Sequence, residues 1–447
     1  MATIIPFSAW RYDSKSVPIE RVVAPPYDII SPDEQEALYS RDPHNVIRVE
    51  LTKEDKKSGL NKYELAAKIW GEWIQKGVIT QDEESSYYLY KNQFQDPETK
   101  SLKSRVVIFG AFKLEPFETR VILPHEKTHS KAKEDRYQLL QATKTNFSPV
   151  FGLYEDQSKL IQTIAAESQK AKQAISFSLE GGESHELWKI NDPKQVAQIQ
   201  KMFERKSILI ADGHHRYETA LNYWKDQKSP KSSVGYCLMG LVELSDEGLL
   251  IFPIHRLVKN VENVILSRFE DTTKDPRSEI LRLTPQDDRF SKAMIAQLSR
   301  MFDCKKVDDQ TLDQVARGKL RGGFGLRFCD GAYFLKVKDQ KLAQAEMPAG
   351  KPAIWYQLEV AQVSHLVLKP LGVHEKNIEE HIEYTKSVEE AIQKVRSGEI
   401  SFSVVVPPIQ AKVMQAICSA GELMPQKSTY FYPKLGSGIL MYQHSQD

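Results

Sequence analysis

The stretch SILIADGHHRYETALNYW, Ser207 to Trp224, decides how the rest of the chain is read. Four apolar residues, Ile208 to Ala211, have the length and β-branching of a buried strand. They stop at Asp212-Gly213-His214-His215-Arg216, and a helical spacing of apolar residues begins at once. A strand that turns directly into a helix leaves backbone N–H groups free at the helix start, and with the helix dipole they form an anion site. Gly213 lets the turn take a positive φ or lets a ligand approach the backbone. Arg216 can clamp phosphate or carboxylate oxygens bidentately, and His214 and His215 add donors. Asp212 can orient a histidine or hold Mg²⁺. Read structurally, Asp212 is an N-cap and the histidines are satisfied polar residues at a strand end. Five such residues in a row at a junction favour a phosphate or carboxylate site.

Working outward, the 447 residues carry 61 basic and 60 acidic side chains, a net charge of +1. This near-balance argues against a nucleic-acid partner, which a basic face would announce. The four cysteines, Cys237, Cys304, Cys329 and Cys418, form no CxxC pair, so a reduced cytoplasmic chain is expected, with neither disulfide framework nor thiolate zinc site. No secretory signal and no bilayer-length apolar run is read, so no membrane partner is expected.

RVVAPPYDIISPDE (Arg21 to Glu34) contains Pro25-Pro26 and reads as an extended segment, then a helix capped by Ser31 with Pro32 at its first position. Asn61 to Gly77 reads as an amphipathic helix, Ser86–Phe94 and Ser104–Leu114 as a hairpin, and Lys133 to Asn146 as a helix. Ser148–Tyr154 reads as a buried strand, and Ser158 to Lys172 as a helix. Ser233–Leu244 and Gly248–Val258 read as a second hairpin, and Asp330-Gly331 marks a third. Ser401–Pro408 reads as a strand followed by a helix to about Ala420. This mixture predicts an α+β fold with mixed sheets, hairpins and packed helices. Two regions are expected: residues 1–260, an α+β region with the phosphate-binding core, and residues 261–447, completing the fold and the site through a KST/YPK loop.

The segments VVAPPYDII, LPHEKT, KEDR, SPVFGLY, ADGHHRYETA, FPIHRLV and MPQKSTYFYPKL together resemble the DUF1015 family, from Pro25 to the final strand. The Gly-His-His-Arg element also resembles the nucleotide-contacting box of the ParB/sulfiredoxin superfamily, some of whose members are kinases of free L-serine. The resemblance implies a ParB/sulfiredoxin-like nucleotide-binding core, with Gly213, His214, His215 and Arg216 on a nucleotide phosphate. This chain is far longer than a minimal domain of that superfamily.

Other candidates follow from chemistry. HEKTH, His125 to His129, matches HExxH, but Pro124 and the missing helical periodicity argue against a zinc protease. A polar loop is expected instead, with His125 on substrate or ligand and Glu126 in proton transfer; the plain alternative is an exposed, solvated loop. Asp28, held after Pro-Pro-Tyr, is the candidate base, with Glu126 as runner-up, since phosphorylating a hydroxyl needs a carboxylate to take its proton; its plain reading is a turn-forming Asx residue. Arg136 and Lys133 are candidates for phosphate or substrate contact or for a solvated helix face. Arg256, Lys427, Ser428, Thr429 and Lys434 are candidate substrate contacts. The glycines of a Walker A loop are missing before Lys427-Ser428-Thr429.

The expected activity is phosphotransfer to a small hydroxylated metabolite, with ATP or ADP as donor, Mg²⁺ bridging the phosphates, and L-serine or phosphoserine as substrate. The catalytic candidates are Asp28, Glu126, His214 and His215. The alternatives are a phosphoserine phosphatase-type hydrolase, with histidine as nucleophile or acid, and a non-enzymatic nucleotide-binding regulator. The oligomeric state is left open.

Overall fold

The computed structural model describes residues 2–127, 130–170, 175–179, 182–227, 233–259 and 288–445. The fold is mixed α+β, in two compact units. One holds residues 1–250 together with 431–447, and the other holds residues 251–430. The last strand segment thus returns to the first unit, which a single cut at residue 260 does not capture.

The first unit is built on a sheet whose strands run in the order 122–123, 208–212, 150–154, 236–243, 102–113, 87–95, 183–190 and 175–179, with strand 4–5 added on 102–113. The hairpin Tyr87–Gln95 and Leu102–Lys113 forms as the alternation predicts, with Tyr90 opposite Val107. Strand Ile208–Asp212 lies between Ile122–Leu123, to which it is parallel, and Val150–Tyr154, to which it is antiparallel. It is covered on both faces: Ile208 and Ile210 are fully buried, with Leu209 and Ala211 nearly so. That is why it reads as an unbroken apolar run rather than an alternating one.

Two clusters form the core of this unit. One gathers Ile208, Ile210, Tyr217 and Leu221 with Ile122, Val150 and Met239. The other gathers Val46, Ile47, Val49, Trp70 and Trp73 with Leu139 and Phe147. Helix Pro32–Arg41 begins with a capping box between Ser31 and Glu34, and helix Lys62–Gln75 with one between Asn61 and Glu64. Each box satisfies two otherwise free groups at the helix start. The helix read from Lys133 to Asn146 spans Ser130–Thr143; Lys144 then takes φ 53°, and Thr145–Asn146 pairs as a short strand with Tyr442–Gln443.

One expected hairpin is absent. Strand Tyr236–Glu243 pairs antiparallel with Leu102–Lys113 and parallel with Val150–Tyr154. His255–Val258 instead pairs with Ile382–Thr385 and Phe402–Val405 in the second unit. Both runs are apolar enough to be central strands, and a short polar linker does not say which partners win.

In the second unit a sheet runs in the order 302–307, 331–337, 324–328, 402–405, 255–258 and 382–385. The hairpin at Asp330-Gly331 is present, with Phe328 opposite Gly331. Strand Phe402–Val405 is followed by helix Ala411–Ser419.

Candidate phosphate site

The junction forms as the sequence predicts. Strand Ile208–Asp212 ends in a register shift between Ile210 and Asp212. Gly213 takes φ 87°, and helix His214–Asp226 starts with no side-chain cap. Its first N–H groups therefore lack the side-chain acceptor that usually serves them. The helix is pinned by Tyr217, which is fully buried, accepts from the Glu115 N–H at 2.8 Å and donates to the Glu115 carbonyl at 2.9 Å.

Asp212 is the centre of an ion cluster. Its Oδ2 accepts from Arg216 Nη2 at 2.7 Å, and its Oδ1 pairs with Lys434 Nζ. The three side chains are 13%, 10% and 11% exposed, so little water screens them. Burial opposes ionisation of Asp212, but the Lys434 and Arg216 charges outweigh it and hold the carboxyl below its usual range. Burial likewise opposes the charge on Arg216, and Asp212, Asp28, Tyr27 and Glu50 restore it. Arg216 Nη1 also donates to the Pro149 carbonyl. A Cβ on Gly213 would stand 2.9 Å from the Arg216 guanidinium carbon, so glycine is required by contact as well as by φ. Gly213→Ala is expected to cost about 1–2 kcal/mol from the left-handed backbone alone, and more from displacing Arg216. A melting temperature equal to wild type would contradict this.

His125 follows strand Ile122–Leu123 and lies against His214, ring centroids 4.5 Å apart and edge to face. His125 Nδ1 is 2.7 Å from the Ile210 carbonyl. A carbonyl only accepts, so that nitrogen carries a proton. The His125 N–H donates to His214 Nε2 at 3.2 Å, which leaves the His214 proton on Nδ1, facing Glu126 Oε1 at 3.8 Å. Burial, then the charges of His125, His215, Lys434 and Arg216, push His214 well below the ordinary histidine range, so it is neutral. The HExxH reading fails on geometry: His125 and Glu126 are not helical, and His129 lies outside the described residues. No group of three or more His, Cys, Asp or Glu suited to a metal occurs among the described residues.

Asp28 sits in a single 3₁₀ turn, Tyr27–Ile29, after Pro25-Pro26, and is exposed. It is close enough to Arg216 to raise the affinity of that guanidinium for its proton. Arg136 lies over the Tyr27 ring at 4.1 Å, donates to the Glu50 carbonyl at 3.0 Å, and pairs with Asp135. Lys133 pairs with Glu218 at 2.5 Å. The KEDR segment thus braces helix Ser130–Thr143 against its neighbours. His215 occupies the first turn of the 214–226 helix, beside Arg216.

Arg256, Lys427, Ser428 and Thr429 belong to the second unit. There Arg256 is buried and donates to the Ile254 carbonyl, Lys427 takes φ 55°, and Ser428 donates to the Pro425 carbonyl. Thr429 opens strand Thr429–Tyr432.

One contributor, Arg105, escaped the sequence reading, and another has a partner that the sequence did not indicate. Lys434 was expected on substrate, and its partner here is Asp212. Arg105, only 1% exposed, donates to the Pro433 carbonyl at 2.6 Å and lies over Phe151, steadying the segment that carries Lys434. Burial pushes it down to about 10, against the charges of Tyr90, Asp246 and Glu183. An arginine inside a strand is the sole signal for it, and that signal names no partner.

No curated protein matches the chain. Solved structures similar to it include a conserved hypothetical protein from Pyrococcus furiosus, 14% identical, covering 74% of this chain and 92% of that one with a TM-score of 0.32. A free serine kinase in complex with AMP is 14% identical over 73% of this chain and 86% of its own, TM-score 0.32. SbnI with a C-terminal truncation, from Staphylococcus aureus, is 10% identical over 73% and 84%, TM-score 0.33. The sequence profile of the family described as protein of unknown function DUF1015 matches residues 4–361, and the chain belongs to that family.

Proposed function

We propose that the first unit carries a nucleotide-dependent phosphotransferase site acting on a small hydroxylated metabolite, with free L-serine as the favoured acceptor. The observation that carries the reading is the uncapped start of helix His214–Asp226, with Arg216 and Lys434 meeting at Asp212 beside it. A helix start without a side-chain cap, beside two cations, suits a phosphate chain. Asp28 is accessible and lies in the field of Arg216, which suits a carboxylate that takes a proton. In the proposed step the acceptor hydroxyl oxygen bonds to phosphorus as the bond to the leaving nucleotide oxygen breaks. The proton passes to Asp28, and ATP leaves as ADP, or ADP as AMP. Arg216 and the helix N–H groups offset the charge that develops on the phosphoryl oxygens.

The residues do not fit Mg²⁺ held by Asp212, because both of its oxygens carry ion pairs. The hydrolase alternative is less well served, since the His214 Nε2 lone pair is already taken by the His125 N–H.

The test is phosphoserine formation by the purified chain with Mg²⁺, with ATP and ADP tried separately. Wild type is expected to turn over with one of them. Asp28→Asn should lose about 10²–10⁴-fold in rate while still binding nucleotide. Absence of turnover with both donors, with nucleotide binding retained, moves the assignment to a regulator. An Asp28→Asn rate equal to wild type removes Asp28 as base.

A further inference from the structure

Glu50 carries a buried carboxylate that bears on Arg216 only through its charge. It ends the short helix Ile47–Glu50 and is 4% exposed. A carboxylate at a helix end finds no free N–H groups, so it is not a cap. Oε1 accepts from Ser148 Oγ at 2.5 Å, and Oε2 has no partner among the described residues. Arg136 does not neutralise it by contact, for its donors go to the Glu50 main-chain carbonyl and to Asp135. Burying half a carboxylate without a hydrogen bond is costly, and such a group calls for a further donor.

Glu50 is among the residues that line two cavities. A cavity of about 50 Å³ is lined by Glu50, Arg136, Ser148, Arg216 and Thr219, and so runs up to the cradle arginine. A second, of about 180 Å³, shares Glu50 and Arg136 as walls and adds Gln35, Thr52 and Tyr63. Both are small, and both are partly polar.

We propose that Glu50 is the specificity-determining residue of the acceptor subsite and binds the ammonium group of a small amino alcohol or hydroxy amino acid. A cation with several N–H donors gives the orphan oxygen the hydrogen bond it lacks. The neighbouring Arg216 cradle sets where a phosphoryl group would lie. The proposal rests on the phosphotransferase reading for the hydroxyl, but not for the ammonium contact.

The test is binding of L-serine, ethanolamine and D-glycerate to the full chain by calorimetry, beside nucleotide binding. D-glycerate keeps hydroxyl and carboxylate but lacks the ammonium. Wild type is expected to bind the two ammonium probes at least 30-fold more tightly than D-glycerate. Glu50→Gln should erase that preference while ADP still binds. If Glu50→Gln does not fold, the wild-type comparison decides alone. Equal binding of L-serine and D-glycerate, or no binding of either ammonium probe, overturns the proposal; Oε2 is then met by water. Ammonium preference without turnover keeps the proposal and sinks the kinase. Turnover that ignores Glu50→Gln does the reverse.

Discussion

Asp212→Asn is expected to be the most damaging conservative substitution in the first unit. Asparagine has nearly the same shape but no charge, so Arg216 and Lys434 lose their shared partner. Both are about one-tenth exposed, and neither can turn to bulk water without leaving its place. Removing one member of a buried ion pair costs about 3–5 kcal/mol, because the penalty is the uncompensated charge left behind rather than the lost attraction. For a unit of this size the melting temperature should fall by roughly 10 °C. Asp212→Asn/Lys434→Met should recover part of the loss, since one of the two stranded cations is gone. Added ADP should raise the melting temperature of Asp212→Asn more than that of wild type, because an anion then replaces the missing charge. A single variant melting within 2 °C of wild type would show the cluster to be relaxed and wet, and the double variant would then have nothing to restore.

The site was legible where its signal is local. A strand, a glycine, two histidines and an arginine within nine residues fix a strand–helix junction by propensity and turn chemistry alone. The capping residue Ser31 was equally readable, because a cap acts within four residues. What was not legible depends on sequence-distant contact. Lys434 meets Asp212 across more than two hundred residues, and nothing in YPKL distinguishes a lysine aimed at a substrate from one aimed at an aspartate. Nothing local in the sequence marks Glu50. Its importance comes from Ser148 and the surrounding helices, which bury it without pairing its second oxygen. The failed hairpin between strands 236–243 and 255–258 has the same origin: both strands are buried in the middle of sheets, and the local pattern does not choose their neighbours.

Mild acid should unfold this protein well before its carboxylates titrate. Burial pushes His185 down to about 4, with Arg105 adding to it, and His444 down to about 4. It also pushes His255 down to about 3, with help from Arg256, and His214 well below its ordinary range. All four side chains are at most 3% exposed. A histidine with a lowered folded-state value binds its proton more readily when unfolded. Each therefore leaves stability intact above about pH 6.5 and subtracts from it as the pH falls below that value, until its folded value is reached. The slope is about 1.4 kcal/mol per pH unit for each group. His185, His214 and His444 lie in the first unit, so that unit should lose roughly 4 kcal/mol per pH unit below about pH 6. Glu183 and Asp246 act in the opposite sense, since burial raises both and folding then favours their protonated forms. Urea denaturation of the wild-type chain between pH 7 and 5.5 reads the net slope. His444 Nδ1 meets the Ser233 carbonyl at 3.1 Å, and an asparagine amide can make the same donation. His444→Asn should thus lower the slope of the first unit by about a third, one titrating group of three. An unchanged slope would mean that His444 titrates in the folded state, and stability rising on acidification would overturn the sign for the whole set.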